Sequence, residues 1–248
     1  DYDPETALGN NIFGTVIADF DDPIDGEKRC SHGGPVCLQY ADGTLAAFYA
    51  NTSSHNVDGW SEYALSRDGG KTWDRYHPFP FSKQAYEKDP DHPVWVEEGL
   101  VTQEGTVVLA LTRFHGGKRS ENMITRSDDH GATWSAPQPL DPVMGYPCAT
   151  AVDGPVNYLL VDSVEEDGHV LLASTDDGQT WQHRSTLPLQ DEAWYGALCV
   201  LGDGSLLAGA YVTKDEHHLY YCLSDDGGHT WSEQRKAYVD KKIRDPEL

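Results

Sequence analysis

Positive charge is scarce in this 248-residue chain: 18 Lys and Arg stand against 41 Asp and Glu, giving a formal net charge of −23. A field of that sign repels nucleic acid and anionic membrane surfaces, so neither is expected as a partner. It also disfavours anionic ligands, except where arginine and histidine cluster and reverse the sign locally. Long apolar runs are missing too. No stretch of 18 apolar residues exists, which excludes a membrane-spanning helix. The opening DYDPETALGNN has neither a basic nor an apolar segment, so no signal peptide is expected in this chain and the compartment stays open. Cysteine is sparse and odd in number, five in all, with no CxxC or Cys/His ligand spacing. No metal, cofactor or disulfide framework is therefore expected. Cys37, Cys148 and Cys199 lie in apolar runs and read as small core residues.

What is present is repetition. The octet Ser-x-Asp-x-Gly-x-Thr-Trp occurs four times without a mismatch, at 66–73, 127–134, 174–181 and 224–231. Each octet is preceded by a tight-turn cluster: Asp42-Gly43-Thr44, Glu104-Gly105-Thr106, Asp153-Gly154-Pro155 and Asp203-Gly204-Ser205. Apolar runs flank each cluster, as in GALCVL and SLLAGAY around Gly204, which is the pattern of a hairpin joining strand A to strand B. A third run enters each octet and a fourth leaves it. Four antiparallel strands repeated at this period predict an all-β β-propeller, with blades near 30–80, 93–140, 145–189 and 193–240. The chain reads as one domain over 1–248. Residues 1–29 form an N-terminal segment with a candidate closing strand at 11–19, residues 30–248 form the blades, and the C-terminal blades are expected to be lacking.

The octets read as turn chemistry: Ser and Asp bind backbone amides, Gly permits the reversal, and Trp packs between sheets. Strand parity puts the A–B and C–D turns on one end of the propeller. The B–C and D–A connections share the opposite end, where the longer segments RYHPFPFSKQAYEKDPDHPVW, NTSSHNVDGW, TRFHGGKRSE, DSVEEDGH and YVTKDEHH fall. Loops placed by a rigid scaffold are where binding concentrates.

Four perfect octets of this form resemble the Asp-boxes of the sialidase superfamily, over roughly residues 30–248. The resemblance implies a propeller of six blades when complete, a carbohydrate ligand and no cofactor. It also implies particular site residues. Gly33 stands where the family has the first of three arginines that clamp a substrate carboxylate, with Arg29 and His32 nearby as substitutes. Asp58, beside His55, matches the general acid/base position in the first B–C loop. Tyr195 and Tyr211 stand where the fourth blade usually carries a Glu and an Arg, with Glu192 close by. Arg244, in Arg-Asp-Pro-Glu-Leu, matches the form Arg-Ile-Pro-Ala-Leu and is expected at the axis. Arg113 ends strand B of blade two at a register where the family often has an Arg.

Glu97, Glu98, Trp95, His115, Tyr146 and Trp194 complete the set of axis candidates. Two adjacent glutamates on a regular strand point to opposite sides, so only one of Glu97 and Glu98 is expected to face the axis. The leading functional expectation is a sialidase-like glycoside hydrolase that removes a terminal, acidic sugar, with Asp58, Glu97 or Glu98 as general acid. Two other readings use the same residues. A polysaccharide lyase would take Tyr195, Tyr211, His55 or His115 as base beside Arg244, and a carbohydrate-binding propeller would have no catalysis at all.

Overall fold

The structure is a computed structural model describing residues 31–52, 59–140, 143–163, 168–189 and 193–239, with backbone only over 31–34. Among these, sixteen strands form four antiparallel sheets of four strands each. Blade one is β1 (Ser31–Gln39), β2 (Leu45–Thr52), β3 (Gly59–Ser66) and β4 (Asp74–Pro78). Blade two is β5 (Val94–Val101), β6 (Val107–His115), β7 (Lys118–Ser127) and β8 (Gln138–Pro139). Blade three is β9 (Gly145–Asp153), β10 (Val156–Ser163), β11 (Gly168–Ser174) and β12 (Gln182–Thr186). Blade four is β13 (Ala193–Val200), β14 (Leu206–Val212), β15 (His218–Ser224) and β16 (Arg235–Tyr238). These are propeller blades, and every octet lies at a C–D turn as the repeats predict.

Alternation along the strands builds the core as layers between blades. Val107, Leu109 and Leu111 of β6 pack with Phe48, Val36 and Ala46 of blade one. The intervening Val108 and Ala110 pack with Leu159, Val161, Val170 and Leu172 of blade three. Leu160, Leu171 and Tyr158 then meet Leu198, Leu206 and Ala208 of blade four. The Trp of the second, third and fourth octets joins the layer shared with the preceding blade. Trp134 makes edge contacts with Phe48 and Phe79, Trp181 is buried with blade two, and Trp231 packs with blade three.

The octet turns are held by one recurring set of bonds. In the first, Ser66 Oγ donates to Asp68 Oδ1 at 2.9 Å and accepts the Gly70 N–H at 2.9 Å. The Thr72 N–H and hydroxyl donate to the two Asp68 oxygens at 2.9 and 2.7 Å. The same bonds recur around Asp129, Asp176 and Asp226. The octet's glycine is needed for close approach as well as for its left-handed backbone. At Gly178, φ is +76° and an added Cβ would stand 2.6 Å from Val108 of the preceding blade.

Inter-blade contacts confirm which turns share an end. Asp42, in the first A–B turn, lies 3.8 Å from His130 in the second octet. Asp177, in the third octet, accepts bonds from the Thr102 and Thr106 hydroxyls beside the second A–B turn and an ion pair from Arg126 at 2.9 Å. The opposite end carries Thr52 and Gly59, paired with each other at the mouth of the first B–C connection.

Two expectations are corrected. The segment after β4, read as loop, contains α1 (Pro80–Lys88), with Pro at its start and no side-chain cap at Phe79. Tertiary contacts hold it: Ser82 Oγ donates to the Val94 carbonyl and accepts the Ser61 N–H at 2.7 Å. Cys37, read as core, is exposed: it lies on the face of β1 away from Val36 and blade two, where no described blade covers it.

The turn bonds predict an acid limb to stability. The backbone N–H and hydroxyl of Thr72 hold the Asp68 carboxyl down at about 2, and the hydroxyl and N–H of Thr133 do the same for Asp129. A depressed folded pKa contributes stability above the ordinary value of 3.8 that is lost as pH falls towards 2. Melting temperature is expected to drop between pH 4 and 2, and to drop less steeply in an Asp68→Asn/Asp129→Asn variant. Trp181→Ala, which empties a buried inter-blade position, is expected to cost about 3–5 kcal/mol in denaturant unfolding.

Candidate functional site at the heads of the inner strands

The four inner strands β1, β5, β9 and β13 share a feature that the repeats do not show. Each carries a register shift against its B strand: between Gly33 and Val36, between Val96 and Glu98, between Pro147 and Ala149, and between Trp194 and Gly196. In blades two to four the extra residue is Glu97, Cys148 and Tyr195. A bulge bends the strand and re-aims the side chain it inserts. Here the bulges bring Glu97 and Tyr195 into one corner with Arg119, Tyr146 and Asp162, at the end of the propeller opposite the octets.

Glu97 is buried and receives the Arg119 guanidinium on both carboxylate oxygens, at 3.0 and 3.2 Å. Burial pushes its carboxyl up while Arg119 and the Thr112 hydroxyl pull it down. The two-point geometry is one that a carboxylate makes. A buried chain supports it: the Gly145 N–H donates to Asn122 at 2.8 Å, and the Asn122 amide donates to Thr112 Oγ1 at 2.8 Å. Arg119 also lies over the rings of Tyr146, at 4.5 Å, and Phe114, at 5.4 Å.

Asp162, near the end of β10, accepts the backbone N–H of Tyr195 from the neighbouring blade. Burial lifts its carboxyl to about 6, against the opposing pull of Arg119 and of that hydrogen bond. Blades three and four meet closely here because position 196 is glycine: a Cβ would come within 2.5 Å of Leu160 and 2.8 Å of the Cys148 sulfur. The same close contact buries His169, the cross-strand neighbour of Asp162, with no hydrogen-bond partner among the described residues at either ring nitrogen. Burial drives its pKa down to about 4, so the imidazole is neutral.

Tyr195 has φ +45°, a left-handed backbone in a residue that disfavours it. Its ring stacks on Tyr211 at 5.9 Å and meets Tyr146 edge-on at 5.4 Å. Trp194 and Tyr195 are 51% and 36% exposed, whereas Tyr211 is buried beneath them. Burial, then the negative charges of Glu97 and Glu98, raise the Tyr146 hydroxyl well above its ordinary range, so it stays protonated. Both glutamates thus act on Tyr146.

The other sequence candidates fall elsewhere or outside the described residues. Trp95 is buried against Ala50 and Phe114 and does not reach a ligand surface. Tyr211 is likewise covered and open to no ligand directly. Arg113 is tied to Glu121 at 2.9 Å. His115 is exposed and stacks on His92 at 4.4 Å. Glu98 accepts the Gly99 N–H at 2.8 Å. His32 lies on β1 opposite Asn51. Arg29, His55, Asp58, Glu192 and Arg244 lie outside the described residues, and the expected convergence of Arg244 and Asp58 on the axis lies outside them too. Asp162 and Arg119 are not singled out by the sequence. Both sit at strand ends bordering the B–C connections DSVEEDGH and TRFHGGKRSE, and that position is the signal that could have found them.

No known family profile matches the chain. A sialidase from Paraclostridium sordellii is 23% identical over 233 residues, covering 88% of this chain and 54% of that protein. The chain therefore spans about half the length of this curated relative. Among solved structures, a Hadza microbial sialidase superposes with TM-score 0.60 at 21% identity, over 85% of this chain and 46% of its own. An exo-β-1,3-galactanase from Clostridium thermocellum superposes with TM-score 0.66 at 13% identity, over 87% of this chain and 50% of its own.

The Glu97–Arg119 pair carries its own prediction. Arg119→Ala strands a buried carboxylate and is expected to cost about 3–5 kcal/mol. Adding Glu97→Gln should restore part of that loss in urea unfolding. An equal loss in the double variant would mean that Arg119 acts through packing alone. The architecture and the sequence likeness agree: this chain has the fold of the sialidase superfamily.

Proposed function

We propose that this protein is a glycoside hydrolase of sialidase-like architecture in which Asp162 protonates the leaving oxygen of a terminal sugar. The observation that carries this reading is the Asp162 carboxyl, lifted to about 6 by burial beside an exposed tyrosine. A general acid works best when its pKa lies near the working pH, and this carboxyl is protonated in a useful fraction near neutrality. Glu97 is a poorer acid, because both its oxygens are engaged by Arg119. Asp58, assigned by resemblance to the first B–C loop, is the proposed second carboxylate of the pair that glycoside hydrolysis commonly uses. The protonated Tyr146 weighs against that residue as the base of an eliminative reaction. An acidic sugar would need Arg244 or Arg29, since Arg119 is already bound to Glu97.

Turnover of methylumbelliferyl glycosides of N-acetylneuraminic acid, galactose and glucuronic acid by the full-length protein tests the reading. With Asp162 as acid, kcat on the accepted glycoside should fall as pH rises through about 6. Asp162→Asn should lose roughly 10²–10⁴-fold in kcat. The stability sign is opposite to that of the octets. A folded pKa raised above the ordinary 3.8 means that ionisation is disfavoured in the fold, so stability falls between pH 4 and 6. Asp162→Asn should therefore melt at or above the parent temperature at pH 8, with the gap closing below pH 4. Full activity in Asp162→Asn would remove this residue from the chemistry.

A further inference from the structure

We infer that Trp194 and Tyr195 form a stacking platform for a neutral pyranose ring, built as a binding subsite beside Asp162. It rests on reading this corner as a glycan site but not on Asp162 being the acid. Among the described residues, Trp194, Tyr195 and Tyr238 are the large hydrophobic side chains left exposed. Two of these three are consecutive and sit at the inner-strand bulge of blade four. A regular strand would send neighbouring rings to opposite faces, whereas a bulge re-aims the inserted one.

The Tyr195 ring is fixed before any ligand arrives. Tyr211 backs one face at 11° between planes, and Tyr146 meets it edge-on at 87°. Tyr146 is itself pinned under Arg119, which Glu97 holds from the other side. Tyr195 keeps this place at a φ of +45°, a backbone that a non-glycine residue holds only when its surroundings impose it. An exposed aromatic ring held rigidly in a strained backbone is organised for contact with a flat apolar surface. The C–H face of a pyranose is such a surface, with hydroxyls at its rim for polar neighbours.

Charge favours a neutral sugar. Asp162 accepts the Tyr195 N–H, and the carboxylates of Glu97 and Glu98 both act on Tyr146, the ring packed against Tyr195. The described cation of this corner, Arg119, is taken by Glu97. With the Glu97 charge offset by Arg119, an anionic ring on the platform would still meet Glu98 and the ionised fraction of Asp162, in a chain of net charge −23. A neutral ring stacked there would place its edge hydroxyls beside Asp162, because the residue that supplies the platform also binds that carboxylate through its backbone.

The test is binding, read by tryptophan fluorescence and saturation-transfer NMR, with lactose, cellobiose and mannobiose set against glucuronic acid and N-acetylneuraminic acid. At least one neutral disaccharide should bind, and more tightly than either acid. Tyr195→Ala and Trp194→Ala should each weaken it by about tenfold or more, and Tyr195→Phe should retain it within about threefold. Tyr195→Gly, which suits the left-handed backbone, should remain folded by circular dichroism yet bind as weakly as the Ala variant. Asp162→Asn keeps an acceptor for the Tyr195 N–H and should still bind, even where hydrolysis is lost. Normal hydrolysis in Asp162→Asn together with platform binding would overturn the acid assignment and leave the platform standing. No binding by any neutral disaccharide, tighter binding of an acid, or full binding in Tyr195→Ala would overturn the platform.

Discussion

Everything in this structure depends on how one blade is fastened to the next. A four-stranded sheet hides its apolar faces only against a neighbour, and the octet turn is the device that sets the spacing. Its Asp and Ser close the turn on backbone amides, its Gly lets Val108 or Leu171 of the preceding blade come within contact, and its Trp fills the layer between sheets. A single net hydrogen bond contributes about 1 kcal/mol, whereas emptying a buried Trp site costs about 3–5 kcal/mol. The turn bonds therefore act mainly by placing the Trp and Gly, and the apolar layer supplies most of the stability.

With the blades fixed, the opposite end carries aromatic and charged side chains from several blades. The inner strands bulge there, and the bulges turn Glu97 and Tyr195 towards residues from other blades. The corner that results is connected: Glu97 holds Arg119, Arg119 covers Tyr146, Tyr146 abuts Tyr195, and Tyr195 binds Asp162 through its backbone. One carboxyl is locked in an ion pair and another is left to titrate near neutrality. Environments that separate two carboxyls in this way assign them different roles.

The fold is legible in the sequence because its cause is local and repeated. Gly43, Gly105, Gly154 and Gly204 mark turns, the octets mark turns, and the strands between them follow. Helix α1 is not legible, since PFSKQAYEK lacks a side-chain N-cap and is held by Ser82 reaching β3 and β5. The site is legible only in part, for a similar reason. Counting from a turn assumes two-residue alternation, and a bulge shifts the count by one beyond the point of insertion. Tyr146, Glu97, Glu98, Trp194 and Tyr195 are found by their position near strand heads. Trp95 lies beyond the bulge when counted from the Gly105 turn, so the shift falls on it, and it packs against Ala50 and Phe114. In sequence Asp162 is one acid among the 41 of the chain, marked only by its place at a strand end, and its burial comes from the packing of Gly196 against blade three.

Burial between blades three and four raises the Asp162 carboxyl towards neutrality, and the proposed chemistry stands on that carboxyl. Carbon-13 NMR of the side-chain carboxyls across pH 3–8, with the Asp162 signal identified by its loss in Asp162→Asn, measures this directly. The predicted midpoint is near 6, well above the ordinary 3.8 for aspartate. A midpoint at or below 3.8 would contradict it.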